Sequence, residues 1–185
     1  MPRLTDARKE LRRTQIAEAA VRCFSRNGLE RTSIADITAE SGLSAGSIYA
    51  HYRNKADVVR AAAREVLAKR ADVLSEYAAA DDPPGPEELL SRLVAAIDPA
   101  EARVGVQTWG EATIDPAIRD IVVDMTDRMR TMLHDCVTAW LIKVECHEPA
   151  EAQERAAPMA HRLMALYQAE LLYAALRTPT EETTS

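Results

Sequence analysis

The sequence predicts an all-α protein, and three observations carry that prediction. Apolar residues recur at helical spacing nearly throughout, and no sustained alternation of β-branched residues bounded by turns is present. Gly, Pro, Ser, Asn and Asp punctuate the periodic segments where helices start and stop. Only eight of the 185 residues are aromatic (Phe 1, Trp 2, Tyr 5), so aliphatic side chains and Met must fill the core. The expected architecture is a three-helix N-terminal domain with a helix-turn-helix, joined by a long fourth helix to a C-terminal helical domain.

The first helix is expected over residues 6–27, burying Ile16, Ala19, Ala20, Cys23 and Phe24. Gly28 follows at a position where a left-handed backbone ends helices at low cost. Thr32 and Ser33 offer N-caps to a short second helix, with Asp36 three residues beyond Ser33 in a capping-box arrangement. That helix stops at Ser41-Gly42, and Leu43 packs inward. Ser44 caps a third helix over residues 45–51, and Asn54 caps a fourth, with Asp57 at its third position. No breaker intervenes before Asp81-Asp82-Pro83-Pro84-Gly85-Pro86, so the fourth helix should be about 39 Å long at 1.5 Å per residue. Further helices are expected over 87–97 and from Pro99 to about residue 113. Asp115-Pro116, an N-cap followed by Pro at the first helical position, should open another that reaches about residue 144. In residues 146–157 the start of the last helix is open, with Pro149 and Pro158 competing. It should end near residue 177. The expected domains are 1–53 and 54–178, with residues 179–185 a disordered tail.

Charge divides the chain in the same place. Residues 1–60 hold eleven basic against seven acidic residues, a net +4, whereas the whole chain carries −6. A basic segment on an acidic body suits one face to an anion. No apolar run approaches 18 residues, so no membrane helix is expected. The charged N-terminus lacks a signal-peptide pattern, and the three cysteines have no disulfide-framework spacing. A cytoplasmic location is therefore expected.

Residues 32–55 carry the functional signal. Two short helices joined by a Gly-containing turn fit the helix-turn-helix pattern, whose second helix must enter a major groove about 12 Å wide. Its exposed face therefore needs small or polar residues, and Ser44, Ala45, Gly46 and Ser47 supply them. Ile48 should point back toward Phe24, Ile34, Ile37 and Leu43. The ordered residues Ile16-x-x-Ala19-Ala20-x-x-x-Phe24-x-x-x-Gly28, Thr32-Ser33-x-x-x-Ile37 and Ser41-Gly42-Leu43-Ser44-x-Gly46-x-Ile48-Tyr49-x-His51-Tyr52-x-x-Lys55-x-x-Val58 form a signature over residues 16–59. It resembles the TetR family of transcriptional regulators.

The resemblance implies roles for individual residues. Thr32 and Ser33 would contact phosphate at the start of the second helix. Ser44, Ala45 and Ser47 would face base edges or the nearby backbone, and Gly46 would permit close approach. Tyr49 and His51 would reach flanking phosphates, and Lys55 would hold one as a point charge. Tyr52 stands where the family more often has Phe, and Thr38 where it more often has Ala; both read as packing variants. The recognition helix offers no Arg, Asn or Gln for a bidentate base contact, so specificity would rest partly on thymine methyl groups and DNA shape.

The second half matches less specifically. Trp109-x-Glu111-Ala112-x-x-Asp115-Pro116-x-x-Arg119 resembles a stretch of many TetR-family effector domains, which implies a ligand chamber without identifying the ligand. Trp109, Glu111, Met125, Met129, Met132, Met164 and Tyr167 are candidate ligand residues, read against the alternative that they are simply core or solvated surface. Such a pocket would take an apolar or aromatic small molecule. Trp109 beside Glu111 also allows a cation. Ala160, Leu163, Leu171 and Ala174 lie on an apolar stripe of the last helix, which faces either a second copy or the chain's own core. Operators for this motif are usually palindromic, so a homodimer on double-stranded DNA is expected.

An enzyme is the rival class. No nucleophile–base constellation, Gly-rich phosphate loop or cofactor motif is present. His134, Cys136, Cys146 and His147 lack metal-ligand spacing. The sequence thus points to a non-enzymatic, ligand-responsive regulator, most simply a repressor, with a TetR-like activator or a helical dimer without DNA binding as alternatives.

Overall fold

Capping residues set most of the helix ends in the computed structural model, which describes residues 4–177. Helix α1 (Leu4–Asn27) begins at or before the expected start and stops at Gly28, where φ is +87° and the N–H donates to Phe24 O at 2.9 Å. Ser33 caps α2 (Ile34–Ser41) with both halves of a capping box, its side chain accepting from the Asp36 N–H while Asp36 accepts from the Ser33 N–H. Gly42, at φ +67°, ends it in the left-handed region that glycine enters without penalty. Ser44 caps α3 (Ala45–Tyr49). This helix is shorter than expected: Ala50 and His51 close it as a turn bonded to Gly46 O and Ile48 O. Asn54 then accepts from the Asp57 N–H at 2.9 Å to open α4 (Lys55–Ala79).

Four more helices follow: α5 (Pro86–Ala95), α6 (Pro99–Ala112), α7 (Pro116–Lys143) and α8 (Pro149–Leu176). No strand occurs among the described residues. Pro stands at the start of each, and Asp98 and Asp115 cap α6 and α7. The competition between Pro149 and Pro158 is decided for Pro149, and α8 runs on through Pro158. A proline inside a helix costs about 3 kcal/mol. Two circumstances lower that here. Pro158 and Glu154, whose carbonyl it leaves without its helical partner, are both exposed residues, and α8 packs along α6 and α7. The expected tail, residues 179–185, lies outside the described residues.

Two buried clusters share the long helix. The first joins Ile16, Cys23, Phe24, Ile37 and Ile48 to Val58, Val59 and Ala62 of α4, and takes in Ala112, Ile118 and Ile121 from α6 and α7. The second joins Leu74 of α4 to Leu89, Leu133, Val137, Ala160 and Leu163. Lys143 fastens the far end of α4, donating to the carbonyls of Ala78, Ala79 and Ala80 at 3.2, 3.2 and 2.7 Å. A cation at the negative end of a helix dipole is favourable. Helix α4 is therefore a single rod embedded in both cores.

Candidate nucleic-acid interface and ligand cavity

The outward face of the helix-turn-helix is made by local chemistry. Ser44 turns its hydroxyl inward to accept from the Ser47 N–H at 3.2 Å, leaving Ala45 and Gly46 exposed beside it. Ile48, fully buried, pins the helix from beneath. Tyr49 is 59% exposed although it is a large ring, so its phenol projects from the end of the helix. His51 is half-buried against Tyr52, ring centroids 6.3 Å apart. Lys55 donates to Glu30 O at 3.0 Å, which holds its ammonium beside the loop ahead of α2. The exposed Ser33 lies in that loop. A phosphate could accept from the remaining ammonium protons.

Thr32 differs from its implied role. It is only 2% exposed, and its hydroxyl donates to Gly28 O at 2.8 Å and approaches Cys23 O at 3.3 Å. Its side chain closes the turn after α1 and is not available to a phosphate. Sequence reading also missed Arg12, whose guanidinium reaches Ser47 Oγ at 3.4 Å from α1. That brings a cation beside the small residues of α3. The basic stretch at the N-terminus was the only signal for it, and a charge run does not say which member faces the groove. Arg22 and Arg26 are engaged elsewhere, both pairing with Glu40 of α2. The Arg26 hydrogen bond, followed by that of Arg22, holds the Glu40 carboxyl below the usual carboxylate range.

Behind this head, α1, α4, α6, α7 and α8 line a predominantly apolar, partly open cavity of about 160 Å³. Trp109, Met125, Met129, Met164 and Tyr167 line it, as sequence reading anticipated. Met132 and Glu111 do not. Met132 packs on the second core, because it lies nearly a full turn beyond Met129, the last residue of α7 that lines the cavity. Glu111 lies on an outer groove with Arg103 and Gln107, since α6 presents Thr108 and Trp109 inward instead. Trp109 and Glu111 therefore do not form a joint cation site.

Phe24, Val59 and Ile121 belong both to the cavity wall and to the first core. Gln107 adds a polar link, accepting from the Leu29 N–H at 2.8 Å in the turn after α1. At the cavity's polar edge Arg70 donates to Tyr167 Oη at 3.3 Å, to Ala96 O at 3.3 Å and to Glu101 at 3.2 Å. Both side chains of the Arg70–Glu101 pair are largely buried. None of these polar groups was anticipated except Tyr167.

The stripe proposed for a partner is mostly spent within the chain. Ala160 and Leu163 are buried in the second core, Leu171 lines the cavity and Ala174 is half-buried. The apolar residues that α8 does expose are Leu166, Leu172, Tyr173 and Leu176. The His/Cys candidates are dispersed: His134 faces Gln153 O, His147 pairs with Glu151, Cys136 is buried and Cys146 is exposed. Burial pushes the Cys136 thiol up to about 11.

Residues 16–62 match the family model described as bacterial regulatory proteins, tetR family. Among curated relatives, the HTH-type transcriptional regulator TtgR of Pseudomonas putida is 44% identical over 61 residues, which cover 33% of this chain and 29% of that one. The HTH-type transcriptional repressor AcnR of Corynebacterium diphtheriae is 34% identical over 76 residues, covering 41% and 40%. The match thus spans less than a third of the P. putida relative. Over most of the chain the likeness is one of fold. A solved structure from Saccharomonospora viridis, assigned as a transcriptional regulator and bound to choline, is 28% identical with a TM-score of 0.61, covering 86% of this chain and 82% of that one.

Proposed function

We propose that this chain, whose residues 16–62 match the TetR family of bacterial regulatory proteins, is a ligand-responsive transcriptional repressor of that family, binding a palindromic operator as a homodimer and released by a small molecule. Residues 1–53 serve as the DNA-binding domain and 54–178 as the effector and dimerisation domain. The observation that carries the reading is the shared wall: Phe24, Val59 and Ile121 line the cavity and also pack the core on which the reading helix sits. A molecule that changes the cavity's shape must move residues that position α3. Helix α4 carries Val59 and begins at Lys55, so its displacement shifts a phosphate contact directly. Coupling of about 1–3 kcal/mol would lower operator affinity about 5–150-fold.

In this reading Ser33, Ser44, Ala45, Gly46, Ser47, Tyr49, His51 and Lys55 meet the DNA, with Arg12 added from α1. The exposed Leu166, Leu172, Tyr173 and Leu176 supply the apolar centre of a two-fold interface, and half-sites would lie about 34 Å apart. No helix among the described residues is long and apolar enough to cross a membrane, and we place the regulator in the cytoplasm without a catalytic role.

Gel-shift titration over a salt series, on an operator recovered from a random duplex library, tests the proposal. Dimeric binding whose log affinity falls linearly with log salt is expected. Salt-independent binding, or no preference for any recovered sequence, contradicts it.

A further inference from the structure

The polar edge of the cavity restricts what it can hold. Arg70, Glu101 and Asp98 all border it. Arg70 and Glu101 face each other at 3.2 Å, so the guanidinium already has a carboxylate partner. Asp98 is occupied in capping α6, accepting from Ala100 N at 2.6 Å and Glu101 N at 3.0 Å. One guanidinium against two carboxylates leaves this edge net negative. An anionic ligand would add like charge in a largely apolar space, where such a charge is strongly disfavoured.

One polar hydrogen remains. Tyr167 Oη accepts from Arg70 Nε, which fixes the phenol oxygen in place. Among the described residues no acceptor is bonded to the phenol's own proton. A phenol donates as well as accepts, so Tyr167 presents a held donor to the cavity. The volume sets the scale: cavities of about 150 Å³ hold benzene, and this one is about 160 Å³.

Resting on the reading of this cavity as the effector chamber, we infer that it takes a single-ring-sized apolar molecule without negative charge that carries one hydrogen-bond acceptor, received by the Tyr167 hydroxyl.

Calorimetric titration of the full chain with four ring compounds of similar size tests this: acetophenone (neutral acceptor), isopropylbenzene (apolar), benzoate (anion) and phenyltrimethylammonium (cation). Acetophenone should bind most tightly. In Tyr167→Phe its affinity should fall about threefold to tenfold, the range of one neutral hydrogen bond, while that of isopropylbenzene stays the same. If benzoate or the ammonium compound binds most tightly, the inference fails and the effector chamber stands. The same holds if Tyr167→Phe leaves the ratio of acetophenone to isopropylbenzene unchanged. Binding of none of the four overturns both. Should Tyr167→Phe fail to fold, the wild-type ranking decides alone.

Discussion

In the reading head, functional groups are held by contacts a few residues apart: Ser44 to Ser47, Ser33 to Asp36, Asn54 to Asp57. In the cavity they are held across the chain, with Arg70 reaching Tyr167 at a separation of 97 residues and Glu101 at 31. A head built from local caps can keep its geometry while the remainder of the chain diverges. A chamber assembled from five helices can change its ligand with a few substitutions while the helices stay in register. The comparisons with known proteins lean the same way: the family model matches only residues 16–62, and the two curated relatives match over 33% and 41% of the chain, whereas the solved structure covers 86% of it.

Substitutions can break that contrast where the two regions meet. Phe24 is fully buried and serves both. Phe24→Ala should destabilise the protein by about 3–5 kcal/mol, read by chemical denaturation, and should remove operator binding and ligand response together. Loss of one without the other would show the regions to be independent. Lys55→Ala acts on the head alone: it should weaken binding to every DNA sequence alike and lower the slope of log affinity against log salt by about one unit. Thr32→Val removes a hydroxyl that the turn uses internally. It should cost about 1 kcal/mol of stability and leave the salt slope unchanged; a reduced slope would restore Thr32 to the DNA surface. The smallest effect concerns Glu40, which ties α1 to α2 through Arg26 and Arg22. Because its carboxyl is held below the ordinary 4.5, its contribution is present above that pH and is lost as pH falls through the depressed value. Glu40→Gln should flatten the acid limb of the thermal-stability profile and leave neutral pH nearly unaffected.

The same contrast explains what the sequence made legible. Helix ends were readable because capping chemistry acts over three residues, and the α1 core stripe because its spacing is helical. Thr32 was misassigned because Thr-Ser presents two N-cap formers in succession. Only one can cap, and which one turns inward depends on the carbonyls of Cys23 and Gly28. The stripe of α8 was ambiguous for a related reason. This helix is apolar on more than one side, and periodicity identifies a stripe without saying whether Ala160 and Leu163 face their own chain or another. Trp109, Met125, Met129, Met164 and Tyr167 were found by residue type. Arg70 and Glu101 were not, since nothing local distinguishes them from solvated helix charges.

The central claim, that occupation of the cavity weakens DNA binding, can be tested without knowing the ligand. Gly105 lines the cavity, and a Cβ placed on it meets nothing within 4 Å. Gly105→Leu would put an aliphatic side chain into the empty space and remove a helical glycine that costs about 1 kcal/mol relative to alanine. Operator affinity and melting temperature of this variant should be measured side by side. The account predicts a variant that melts at or above the wild-type temperature and binds operator about 5–150-fold more weakly. A variant that is as stable as wild type and binds operator with unchanged affinity would contradict it.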